Sequence, residues 1–112
     1  MFRGNFGGGM NMQSLMKQAQ KMQEDLVKKQ NEIEEELENT TLTASSGGGM
    51  VEVTVTGKKQ LVSVSIKPEA VDPDDVEMLE DLILASVNEA LSKADELDKK
   101  LKADLPNLGG MM

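Results

Sequence analysis

Hydrophobic residues recur at helical spacing over the first part of the chain. From about residue 11 to 38 the sequence has no Gly or Pro and is rich in Gln, Lys, Glu, Met and Leu, which favour helix. Its apolar residues follow one another at intervals of three and four and fall on one stripe of a helical wheel: Met12, Leu15, Ala19, Met22, Leu26, Ile33 and Leu37. Lys29 interrupts the heptad. The pattern predicts a helix over residues 11–38.

The middle of the chain alternates between apolar and polar positions, which is typical of strands with one covered face. Residues 50–56 and 61–67 are the two predicted strands, and the β-prone residues 40–45 are a candidate third, ahead of the glycines at 47–49. The apolar positions of the two strands are Val51, Val53 and Val55, then Val62, Val64 and Ile66. An antiparallel sheet covered on one side follows from this pattern.

A second helix is predicted over residues 73–104, with Asp72 as N-cap, Pro73 at the first helical position and Pro106 beyond its end. Its apolar stripe includes Ile83, Val87 and Leu97. At 1.5 Å per residue the helices should be about 40 and 45 Å long, whereas a strand of this length spans roughly 20 Å. Both helices should overhang the sheet and be covered by each other or by a second subunit.

The composition excludes most catalytic and cofactor chemistry. The sequence has no Cys and no His, which removes disulfides, thiol nucleophiles, the usual zinc ligands and an imidazole base. Gly57-Lys58 lacks the rest of a phosphate-binding loop. We therefore expect the protein not to be an enzyme and to bind no cofactor, metal or small-molecule substrate. Without a signal peptide or a run of ~20 apolar residues, we expect a cytoplasmic protein that does not enter the membrane.

One domain over residues 11–104 is expected, with Gly-rich flexible tails at residues 1–10 and 105–112. The net charge of −8 argues against nucleic acid as a partner, since Lys and Arg supply most non-specific affinity for phosphate. Residues 1–31, however, carry five basic and two acidic side chains, a local charge of +3. The acidity of the chain therefore lies in its other segments.

Lysines form a stripe on the first helix, opposite its apolar residues. Lys17, Lys21 and Lys28 fall within about 40° of one another on the helical wheel, an arrangement suited to a phosphate backbone. The alternative is local pairing with Glu24 and Asp25, and spacing alone favours it. In the last helix Lys93, Lys99 and Lys100 make a second basic segment, which neighbouring acidic residues nearly cancel.

Three segments in order resemble the YbaB/EbfC family of bacterial nucleoid-associated proteins. They are LMKQAQKMQ at 15–23, GGGMVEVTVTG at 47–57 and DPDDVEMLEDLILASVN at 72–88. The resemblance covers about residues 10–98. It implies an α+β protomer in the order α-β-β-β-α, with a three-stranded antiparallel sheet and two long helices. It also implies a homodimer built through the sheet, with helices projecting like tweezers.

The function that the resemblance implies is binding of double-stranded DNA without catalysis and with little sequence specificity. Effects on DNA conformation, nucleoid organisation and gene expression would follow, in the cytoplasm and nucleoid. The candidate DNA-binding residues are Lys17, Lys21, Lys28, Lys29, Lys93, Lys99 and Lys100. The candidate dimer-interface residues are Val51, Val53, Val55, Val62, Val64, Ile66 and Leu97. The alternative is a holdase-like module whose helical tweezers grip a protein and do not bind DNA.

Overall fold

The computed structural model describes residues 12–105. Its elements are α1 (Met12–Asn39), β1 (Thr41–Ser46), β2 (Val51–Thr56), β3 (Leu61–Ile66), a 3-10 turn (Pro68–Ala70) and α2 (Val76–Lys102). The predicted α+β fold, in the order α-β-β-β-α, is confirmed. The predicted tails at 1–10 and, after Leu105, up to 112 lie outside the described residues.

The chain forms two compact units, Met1–Glu32 and Ile33–Met112. The described part of the first unit is the larger part of α1. The second unit contains the end of α1, the sheet and α2.

The sheet has the order β1-β2-β3 with antiparallel neighbours. The β1–β2 register runs without interruption from Thr41 opposite Thr56 to Ser46 opposite Val51. Between β2 and β3 the register shifts, because Thr54 lies opposite Ser63 while Val55 lies opposite Leu61. Val62 is therefore the extra residue of a β-bulge.

The core lies between α2 and the strands β1 and β2. Val51, Val53 and Val55 have no accessible surface, and the helix meets them with the small residues Ala90 and Ala94. Small side chains allow a helix to lie close to a sheet, and the buried hydroxyl of Ser86, on the same helix, is satisfied because it donates to the Leu82 carbonyl at 2.9 Å. The predicted one-sided burial of β2 is thus observed.

In β3 the predicted alternation does not produce a buried face. The main contacts of α2 with the sheet are to β1 and β2, so β3 lies beside the helix rather than beneath it. Val62 and Val64 are 57% and 46% exposed, and Ile66 is half-buried.

The start of the second helix was predicted three residues too early. The N-cap is Asp75, whose carboxylate accepts a hydrogen bond from the Met78 amide at 3.2 Å. Asp72 accepts instead from the Asp74 amide at 2.9 Å, and its carbonyl accepts from the Asp75 amide. Pro73 therefore lies in a turn that precedes the helix, because the Asp72 side chain stabilises that turn. The helix ends at Lys102, slightly before the predicted residue 104.

Candidate nucleic-acid interface

The candidate site begins with the lysines of α1. Lys17, Lys21 and Lys28 are exposed on the side of the helix opposite its apolar stripe, and we call these three residues the lysine face. From Lys17 to Lys28 the face extends about 16 Å along the helix axis at 1.5 Å per residue. Lys29 is also exposed but lies about 100° further round the helix than Lys28.

Local pairing, the alternative explanation for these lysines, is not formed. Among residues 12–105 the ion pairs within 4.0 Å are Glu34–Lys58, Asp95–Lys59, Asp95–Lys99 and Asp98–Lys102. None of these includes a lysine of α1. The ammonium groups of the lysine face therefore point to solvent without a carboxylate partner in the described part of the chain, which leaves them accessible to an external anion.

The segment that carries the lysine face is separate in sequence from the acidic end of α1. Residues 12–31 contain four lysines and two acidic residues. The following residues contain Glu32, Glu34, Glu35, Glu36 and Glu38. In the second of these segments Ile33 and Leu37 are buried, so α1 changes from an exposed basic helix to an acidic, partly buried one near residue 32.

The predicted lysines of α2 mostly have partners within the molecule. The Lys93 ammonium donates to the Thr43 carbonyl at 2.8 Å, and Lys99 forms an ion pair with Asp95 at 3.1 Å. Lys100 is exposed and takes part in none of the ion pairs between described residues. Of the two groups of predicted residues, the α1 group is therefore the one in which every lysine lacks an ion pair with a described residue.

The β2–β3 turn holds two further lysines, and both are in ion pairs. Lys58 pairs with Glu34 at the end of α1, and Lys59 pairs with Asp95 of α2 at 3.1 Å. The hydrogen bond to Glu34 raises the pKa of Lys58 above its usual 10.5. Hydrogen bonds from Lys99 and then Lys59 lower the pKa of Asp95 below 3.8. The Lys58–Glu34 and Lys59–Asp95 contacts, which the sequence did not reveal, connect residues far apart in the chain.

An open cleft of about 190 Å³ lies beside this turn. Its lining residues are Glu34, Leu37, Gly57, Lys58, Lys59 and Asp98. Because two carboxylates face the two lysines, the cleft lacks the single-sign potential that an anion site requires.

The predicted dimer-interface residues lie in three environments. Val51, Val53 and Val55 are buried within the protomer, and a side chain without accessible surface cannot contact a second protomer. Ile66 and Leu97 are half-buried. Val62 and Val64 are exposed, and Leu61 beside them is 56% exposed. We call Leu61, Val62 and Val64 the β3 surface.

Leu84 of α2 is a further exposed apolar residue. Asp95 contacts Lys59 in the β2–β3 turn, so its side of α2 faces the turn. Leu84 lies eleven residues earlier and therefore within about 20° of the same side, and it is 59% exposed. The apolar residues of β3 and this side of α2 are left without a covering element in the described protomer.

A protein-family model described as the YbaB/EbfC DNA-binding family matches residues 7–110. The chain belongs to this family. The resemblance drawn from the three sequence segments is thereby confirmed. Among residues 12–105, no helix is both long and apolar enough to cross a membrane.

Relatives and a solved structure agree with the family assignment. A nucleoid-associated protein of Ruminiclostridium cellulolyticum is 55% identical over 99% of this chain and 96% of its own length. One of Clostridium novyi is 53% identical over 99% of both chains. The crystal structure of an uncharacterized protein, HP0035, from Helicobacter pylori matches with a TM-score of 0.70 at 25% identity, covering 85% of this chain and 96% of that one.

Proposed function

We propose that this protein is a non-enzymatic, nucleoid-associated protein that binds double-stranded DNA through the lysine face of α1. The observation that carries the proposal is the set of exposed lysines without carboxylate partners among the described residues. Membership of a DNA-binding family supports the same ligand. Relatives covering nearly the whole chain are named nucleoid-associated proteins, which supports a place in the bacterial cytoplasm and nucleoid.

The chemistry of the lysine face favours the phosphate backbone over the bases. Ammonium groups are point charges that bind phosphate without reading base edges, and the described residues contain no Arg. Binding should therefore have little sequence specificity. Its effects on DNA conformation, nucleoid organisation and gene expression would follow from occupation of the duplex rather than from recognition of particular sites.

The net charge of −8 limits the affinity. Phosphates are attracted by the lysine segment and repelled by the acidic segments, and the repulsion acts over about 8–10 Å at physiological salt. Three phosphate contacts would give a log–log salt slope of about −2.7, at about −0.9 per contact. We therefore expect modest affinity that is lost as the salt concentration rises.

We also propose that the protein forms a homodimer through the β3 surface. Leu61, Val62 and Val64 are exposed on an edge strand, and Leu84 is a further exposed apolar residue on α2. A second copy offers the same surface, so a two-fold arrangement would cover both at once. A dimer would bring two lysine faces to one duplex and raise the effective concentration of the second.

Gel-shift titration of an unrelated duplex at two salt concentrations tests the DNA proposal. The variant Lys17→Glu/Lys21→Glu/Lys28→Glu should weaken binding by at least about tenfold, because phosphate attraction becomes repulsion at three contacts. Lys99→Glu/Lys100→Glu/Lys102→Glu changes the net charge equally and should have a smaller effect. Equal losses in both variants, or wild-type binding that does not weaken with salt, would contradict the lysine face as the site.

The second candidate function is a protein-binding module, favoured by the exposed apolar stripe of α1. Met12, Leu15 and Met22 are 73%, 43% and 70% exposed, and methionine-rich surfaces adapt to varied partners. In this case a client polypeptide would remain bound to the protein at high salt. It would not bind to the variant Leu15→Asp/Met22→Asp. DNA binding that depends on the lysine face and disappears at high salt would exclude it as the main activity.

A further inference from the structure

Within residues 12–105, β1 is an edge strand of the sheet, and some of its backbone groups face away from β2. In an antiparallel pair, residues alternate between those that bond their partner strand and those whose amide and carbonyl point outwards. The Gly57 amide donates to the Thr40 carbonyl at 3.0 Å, so residues 40, 42, 44 and 46 bond β2. Thr41, Thr43 and Ser45 therefore present their amides and carbonyls on the open side, with Thr43 at the centre.

Such an edge is a template for strand addition, and β1 lacks the usual protection of its own. Its sequence, TLTASS, contains no charge and no proline, and its pairing with β2 is free of bulges. Proteins normally protect an edge with one of these features. On the opposite edge of the sheet, β3 is interrupted by the bulge at Val62.

Lys93 supplies a charge at the centre of the β1 edge. Its ammonium group, carried by α2 fifty residues further along the chain, donates to the outward-facing Thr43 carbonyl at 2.8 Å. A strand that paired with this edge would need the same carbonyl as its acceptor. It would also bring its own backbone against an ammonium group on a long side chain.

We infer that Lys93 closes the β1 edge to strand addition by a second copy of this chain. The incoming strand is another β1, because two such edges are self-complementary when antiparallel about Thr43. Lys93 therefore restricts association between copies to other surfaces of the protomer. This role depends on the sheet and on the Lys93 contact, and it holds whether or not the protein binds DNA or pairs through β3.

The variant Lys93→Met tests the inference, since methionine keeps an apolar stem but removes the donor and the charge. We expect light scattering after gel filtration to show species of at least about double the wild-type mass. The average mass should rise with protein concentration. Lys93→Arg retains a charged donor and should keep the wild-type mass. Lys100→Met, on an exposed part of the same helix, controls for loss of one positive charge.

Amide hydrogen exchange locates the new contact. In the larger species the outward amides of Thr41, Thr43 and Ser45 should exchange at least about tenfold more slowly than in the wild type, because each gains a hydrogen-bond partner. Folded Lys93→Met protein of unchanged mass would overturn the inference, as would larger species without protection of these amides. Should Lys93→Met fail to fold, Lys93→Gln replaces it, and unfolding of both variants would show that Lys93 only stabilises the packing of α2 on β1.

Discussion

At Gly57 the β2–β3 turn passes the end of α1 so closely that no side chain fits. A Cβ at this position would lie 2.7 Å from the Leu37 carbonyl oxygen and 2.9 Å from its Cα. Both are backbone atoms, which cannot move aside as the end of a flexible side chain would. The approach is held by the hydrogen bond from the Gly57 amide to the Thr40 carbonyl. A glycine is therefore required at this position, because any side chain would clash with the backbone of Leu37.

Gly57→Ala should lower the free energy of unfolding by about 2–3 kcal/mol, the upper part of the range for overpacking. Gly48→Ala is the matched control, because nothing lies within 4 Å of its Cβ but its φ is +66°. The control should lose about 1 kcal/mol from the left-handed backbone alone. Urea denaturation of both variants measures the difference, and a loss at Gly57 no larger than at Gly48 would contradict the close approach.

Asp95 accepts hydrogen bonds from two lysines, and its titration reports both. Lys99 and then Lys59 lower its pKa below 3.8, so the carboxyl resonance of Asp95 in NMR should titrate below that value. Lys99→Met and Lys59→Met should each move the midpoint upwards, because each removes a donor to the charged form. Lys100→Met should leave it unchanged. A wild-type midpoint at or above 3.8 would show that the pairs do not persist in solution.

The two shifted groups affect stability at opposite ends of the pH range. Because the pKa of Asp95 is lower in the folded state, its stabilisation is present above 3.8 and lost as pH falls through the folded value. Because the pKa of Lys58 is raised above 10.5, its stabilisation is present below 10.5 and lost as pH rises through the folded value. Neither pair should change the stability between these limits.

At the scale of elements, hydrogen bonds of neighbouring aspartates determine the residue at which α2 begins. Three aspartates precede the helix, and each could serve as its N-cap. Asp72 instead accepts from the Asp74 amide and forms a turn, which places Asp75 at the cap. The sequence predicted a helix start with the correct residue type, but it could not decide among neighbouring aspartates because each satisfies the same capping rule.

Asp75→Ala should lower the free energy of unfolding by about 1 kcal/mol, since the Met78 amide loses its acceptor. Asp74→Ala removes the neighbouring charge without removing the capping hydrogen bond and is the control. Thermal denaturation followed by circular dichroism compares the two variants. Similar losses would indicate that charge near the helix N-terminus, rather than the cap, stabilises the start of α2.

The strands β2 and β3 differ in how far their alternating apolar side chains are buried. β2 alternates between buried and exposed residues as its sequence predicts, because α2 covers it. β3 has a similar pattern, yet Val62 and Val64 remain exposed. Burial depends on which strands the helix lies over, and an alternating sequence does not specify that.

At the scale of the whole molecule, charge is distributed unevenly along the chain. Four lysines lie within residues 12–31, while the full sequence has twenty acidic and twelve basic residues and a net charge of −8. In the second unit, lysines of α2 and of the β2–β3 turn pair with carboxylates. The net charge therefore describes the solubility of the chain better than it describes the potential near any one surface.

Val64→Asp should convert the proposed dimer to a monomer, because it places a charge in the centre of the β3 surface. Ser63→Asp adds the same charge at an exposed neighbouring position of the same strand and should leave the dimer intact. Light scattering after gel filtration at about 10 µM, in the middle of the micromolar range of weak association, gives the mass of each. Equal behaviour of the two variants would place the interface elsewhere.

The sequence by itself determined the element order and the family, because periodicity and local motifs are properties of neighbouring residues. It also identified the lysine face, since three lysines at helical spacing share a side of any α-helix. Only the tertiary structure decided which lysines have partners. The contacts Lys58–Glu34, Lys59–Asp95 and Lys93–Thr43 join residues 24 to 50 positions apart, and no local pattern specifies which distant residues a fold brings together.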